Sequence, residues 1–102
     1  FSDGGSELAE FSGSSEIGER VMLEGSIISK RFTYTGDHLL LTVDSRSGPV
    51  MVFISSSNGA EAVASKVNED DAVRISGVVD EYNGEIEVVV QDETDVKVIA
   101  TA

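Results

Sequence analysis

Cysteine is absent from the 102-residue chain, which removes any disulfide framework or cysteine-based metal site and leaves the redox compartment open. Histidine occurs once, as His38, and neither a phosphate-cradling glycine loop nor a metal-ligand spacing is present. Only scattered carboxylates are left for chemistry, so no catalytic residue is assigned and the chain reads as a non-enzyme without cofactor. "DDAV" at 70–73 and "QDETD" at 91–95 offer oxygen ligands but lack a calcium-loop pattern, and no metal site is assigned to them. No apolar run approaches the roughly 20 residues of a membrane-crossing helix. The amino-terminal stretch also lacks the basic and apolar regions of a signal peptide. The expectation is a soluble, cytoplasmic domain with no membrane role. Opening on Phe1 suggests a segment of a longer polypeptide or a processed product.

Positive charge is scarce as well, with 7 Lys and Arg against 19 Asp and Glu for a net charge of −12. Phosphate affinity comes mainly from cations that neutralise it, so the chain is not built to coat nucleic acid by charge alone. The charge is segregated, however. Residues 26–53 carry Lys30, Arg31 and Arg46 against Asp37 and Asp44, a local balance of +1, leaving −13 to the rest. A saline habitat, a need for solubility and a basic partner would each produce that surplus.

What is present is alternation. The length suits one domain. Residues 1–19 form a polar lead-in rich in Gly, Ser and Glu, in which Ser6, Leu8 and Phe11 are enough for one helical turn and Phe11 is a candidate to dock on the domain. From Val21 the period becomes two. Val21 and Leu23 share one face in "VMLEGSII", with Gly25 marking a bulge or bend. Leu39, Leu41 and Val43 point inward in the second strand, with His38, Leu40 and Thr42 opposite, and "SRSG" at 45–48 turns the chain. Val50, Val52 and Ile54 point inward in the third, leaving Met51 and Phe53 outward. Ala60, Val63, Ala64 and Val67 recur at helical spacing after Ser57 or Asn58 as cap. Val73, Ile75 and Val79 then alternate around Gly77, Asn83-Gly84 forms a hairpin turn, Ile86, Val88 and Val90 face inward, and Val96 and Val98 close the chain.

Three strands, a helix and two strands, with glycines where the first and fourth strands bend, specify an all-β domain with one short helix. The expected architecture is a five-stranded Greek-key OB-fold barrel over 20–99, the helix lying between strands 3 and 4 and 100–102 forming a tail. The wording of "VMLEGSIISKR", "LLLTVDSRSGPVMVFI", "DDAVRISGVVDEYNGEIEVVV" and "DVKVI" resembles nucleic-acid-binding OB domains of the tRNA-anticodon and helicase type. A second likeness, to bacterial periplasmic OB-fold stress proteins, rests on "VMLEGSI" and on "VDE" near the end of the fourth strand.

The first resemblance implies binding of single-stranded DNA or RNA along the outer face of strands two and three. The flanking walls would be the loop after strand one and the loop between strands four and five. "SKRFTYTGDH" at 29–38 brings Lys30, Arg31, Phe32, Tyr34 and His38 into ten positions. Cations that track phosphates beside rings that stack on bases suit a single strand; alternatively, Phe32 fills the barrel end and the cations snorkel over it. Phe53 on the third strand and Tyr82 at the hairpin tip are further stacking candidates, and Arg46 is a turn cation within reach of phosphate. The apolar Leu40, Met51 and Phe53 face suits a protein partner equally, because an exposed apolar patch marks an interaction without naming it. Arg74 is expected to pair with a carboxylate such as Glu87. The expected role is an accessory module of a larger repair, replication or RNA-processing protein, with a protein-interaction or stress-response module as the alternative.

Overall fold

The computed structural model describes residues 9–11, 16–34 and 38–101; Ser6 and Leu8 of the expected helical turn lie outside the described residues, while Ala9 and Glu10, between Leu8 and Phe11, form a strand and not a helix. Among the described residues seven strands form: β1 (Ala9–Glu10), β2 (Arg20–Phe32), β3 (Leu39–Ser45), β4 (Gly48–Ile54), β5 (Ala72–Tyr82), β6 (Glu85–Val90) and β7 (Val96–Ala100). The α-helix α1 (Ala60–Lys66), preceded by a 3-10 turn at Ser56–Asn58, joins β4 to β5. The barrel proper uses five strands in the order β2-β3-β4-β6-β5, and β5 pairs back to β2 to close it. All its pairings are antiparallel except β4 with β6. The two extra strands are edge additions, β1 parallel to β2 and β7 antiparallel to β5.

Closure depends on β2, whose first half pairs with β5 and whose second half pairs with β3. Gly25 belongs to both ladders, opposite Val73 on one side and Ser45 on the other. A Cβ there would run into the Asp44 carbonyl oxygen. The glycine is therefore a close-approach residue, and the bulge expected near it falls at Ile28, between the Ile27 and Ser29 pairings. That bulge shifts the phase of the strand. Ile27 pairs with Val43 and is fully buried, whereas beyond the bulge Lys30 pairs with inward-facing Leu41 and Arg31 with outward-facing Leu40.

The core follows the alternation. Val21, Leu23, Ile27, Leu39, Leu41, Val43, Val52, Ile54, Val73, Ile75, Val79, Val88 and Val90 are all buried. Helix α1 adds Ala60 and Val63 to the same cluster, and Val67 at its C-cap joins them. Its cap differs from expectation: Gly59 at φ 99° precedes Ala60 with no side-chain cap, and Ser55 O accepts from the N–H groups of both Asn58 and Ala60. At the other end, Lys30 Nζ donates to Ala64 O at 3.0 Å and Val67 O at 2.8 Å. A cation is favoured there because the last carbonyls of a helix have no partner of their own.

Two further expectations change. Ile86 was placed inward but is 40% exposed, because it lies near the tip of the β5–β6 hairpin, past the packed part of the barrel. Arg74 bonds Glu24, its cross-strand partner on β2, and not Glu87. Phe11 does dock and is buried, donating its N–H to Met22 O at 2.9 Å while Ser47 Oγ donates to Phe11 O at 3.2 Å.

Candidate nucleic-acid interface

The outer face of the barrel carries two rows of side chains that cross the strands. One row runs Arg31, Leu40, Phe53 and Val89; the other runs Ser29, Thr42, Met51, Glu87 and Asp80. The rows exist because β6 lies parallel to β4, which sets Glu87 beside Met51 and Val89 beside Phe53. Above them the β5–β6 hairpin projects on an Asn83-Gly84 turn with φ of 54° and 81°, the double positive φ of a type I′ turn. On the opposite side stand Thr33 and His38, tied to each other by Thr33 N–H to His38 O at 2.7 Å and His38 N–H to Thr33 Oγ1 at 3.1 Å. Between these walls lies a groove of about 720 Å³.

The floor of the groove is apolar, formed by Leu40, Met51, Phe53 and Val89, and Ile86 of the hairpin adds a further apolar lining residue. The His38 ring lies 5.1 Å from Phe53 at a tilt of 50°. Its Nδ1 accepts the Ser56 N–H at 2.9 Å, which fixes the ring over the start of the segment leading into α1 and places the neutral ring's proton on Nε2. Among the described residues Arg31 is the one Lys or Arg lining the groove, whereas Asp80, Glu85 and Glu87 line it with carboxylates. Partial burial, and then the carboxylate of Asp80 opposite, raise Glu87 above the usual glutamate range.

The residues read as site candidates from the sequence separate into two groups. Arg31, His38, Phe53 and Tyr82 all line the groove, and Tyr82 is 67% exposed at its rim. Lys30 is drawn to α1. Phe32 is 45% exposed and Tyr34 fully exposed, both outside the groove lining. Arg46, at the tip of the β3–β4 hairpin, reaches Glu10 at 3.9 Å with its side chain 86% exposed. Glu87 was not anticipated as part of a site, having been expected to pair with Arg74, whereas Asp80 and Glu85 flank Tyr82 in the sequence as carboxylates that repel phosphate. Outward alternation against Val88 and Val90 was the available signal, but the parallel partner of β6 is not written locally.

Similar solved structures share this barrel. Asparaginyl-tRNA synthetase from Pyrococcus horikoshii, in its complex with asparaginyl-adenylate, superposes with a TM-score of 0.68 at 22% identity, over 84% of this chain and 20% of that one. This chain thus spans about a fifth of the synthetase's length. The OBody AM1L10 bound to hen egg-white lysozyme gives 0.68 at 19% identity over 83% of both chains. The ZRD-deleted mutant of TiaS in complex with agmatine gives 0.66 at 14% identity over 82% of this chain and 22% of that one. No curated protein gives a significant match. The family profile of OB-fold nucleic acid binding domains of the tRNA anticodon type matches residues 9–96. That match spans all five barrel strands together with the edge strand β1, and the chain belongs to this family of OB-fold nucleic acid binding domains.

Proposed function

We propose that the groove binds single-stranded DNA or RNA, with a base stacked on Phe53 beside His38 and a second against Tyr82 at the rim, as an accessory module of a larger protein. The observation that carries this reading is the apolar, aromatic floor held outward between two walls in a domain of a nucleic-acid-binding family. Each base stacked on an aromatic ring contributes about 1 to 3 kcal/mol. Arg31 supplies one phosphate contact. A labelled oligonucleotide titrated at increasing salt tests the proposal: binding should weaken with a slope of log affinity against log salt near about −0.7, as for one phosphate neutralised. A steep slope would place the contacts on cations outside the groove, and no binding would refute the reading.

A second reading has one observation in its favour. The carboxylates of Asp80, Glu85 and Glu87 beside an apolar floor also suit a basic polypeptide, and an OB barrel of the same shape, the OBody, is found bound to lysozyme. Competition separates the two, because a basic peptide that displaces the oligonucleotide with higher affinity would favour the protein partner.

A further inference from the structure

The groove's charges are placed on opposite sides of its stacking floor. Arg31 stands at one end of the row that contains Phe53, while Glu87 and Asp80 stand side by side at the β5–β6 end of the neighbouring row. A strand stacked on Phe53 therefore has one favourable orientation. Its phosphates lie toward Arg31, since the acidic wall repels them, and its base edges turn toward the carboxylates. Glu87 and Phe53 occupy adjacent strands offset by two residues, about 8 Å apart from the usual strand spacing and rise. That separation is spanned by a base stacked on the ring and one hydrogen bond from its edge.

Glu87 has the properties of an acceptor waiting for a donor. It is partly buried, and among the described residues its carboxylate forms no ion pair and accepts no hydrogen bond. Ionised carboxylates only accept, and a partly desolvated one left without donors is costly. Cytosine, adenine and guanine each present an exocyclic amino group on the edge that faces such a wall. Uracil and thymine present instead an imide N–H flanked by two carbonyl oxygens, and those oxygens meet the carboxylate with like partial charge.

Resting on the nucleic-acid reading above, we infer that Glu87, with Asp80 beside it, is a specificity residue that makes the groove select amino-bearing bases over uracil and thymine. Cytosine and thymine provide the cleanest comparison, because both are single-ring bases of similar stacking area. Titration of the domain with labelled oligo-dC and oligo-dT of equal length, well above the carboxylate range of pH, should give at least about fivefold tighter binding of oligo-dC. In Glu87→Gln the ratio should fall to within about twofold, with oligo-dT bound as well as before or better. Equal or tighter binding of oligo-dT by the unmodified protein overturns the inference while leaving the nucleic-acid reading intact. Survival of the full preference in Glu87→Gln overturns it too. If neither oligonucleotide binds, both readings fall.

Discussion

Replacing Phe53 with alanine separates a binding ring from a core ring by magnitude. A fully buried Phe→Ala change costs about 3 to 5 kcal/mol, from lost transfer free energy plus the cavity left behind. Phe53 lies outward, between Leu40 on β3 and Val89 on β6, with the His38 ring 5.1 Å away, and its exposure is intermediate. Truncation there leaves an open groove and no sealed cavity, so the expected stability loss is about 1 to 2 kcal/mol. Affinity should fall by about 5- to 150-fold if a base stacks on the ring. Urea denaturation followed by circular dichroism gives the first quantity, and anisotropy of a labelled oligonucleotide gives the second. A loss of stability in the full core range with unchanged affinity would refute the reasoning, because it would make the ring a packing residue.

Lys30→Met should destabilise the domain by about 1.5 to 3 kcal/mol, since two charge-assisted bonds to the helix carbonyls disappear; oligonucleotide affinity should change less than twofold, the ammonium being engaged at α1. Gly25→Ala should cost at least about 1 to 3 kcal/mol, because the added methyl meets the backbone of β3 and not a movable side chain; chemical denaturation reads it directly. Glu87 binds its proton more tightly in the folded than in the unfolded state, so its contribution is adverse above the folded pKa and fades as pH falls through that pKa toward the ordinary glutamate value. Glu87→Gln should therefore be more stable than the unmodified protein at neutral pH, by about 0.2 to 1 kcal/mol for a like-charged cross-strand pair. The two proteins should converge below the glutamate range.

Much of this architecture is written in the chain because local rules agree. Leu39, Leu41 and Val43 alternate without interruption, Asn83-Gly84 permits one kind of hairpin turn, and α1 carries its buried residues at helical spacing, so period and turn chemistry placed the strands, the helix and the floor residue Phe53. The face of each residue beyond Ile27 was less legible. A single extra residue at Ile28 reverses the alternation, and it sends Lys30 to the helix and Arg31 to the groove, although the two are neighbours in a basic, aromatic stretch. Likewise Ile86 follows the inward pattern of Val88 and Val90, yet stands on the part of the hairpin that has left the barrel. Arg74 finds Glu24 and the groove gains Glu87 for one shared reason. Which strands become neighbours depends on barrel closure and on the parallel β4–β6 contact, and neither is encoded in a short window.

The central claim is that ligand lies in the groove between the two walls, and an amide-resolved NMR titration with a short single-stranded oligonucleotide tests it most directly. The account predicts saturable shifts at Arg31, His38, Phe53, Tyr82 and Glu87, with Arg74 on the β2–β5 ladder and Ile99 on β7 unmoved. Shifts confined to Arg46, Arg74 or Ile99, or none at high protein concentration, would contradict it.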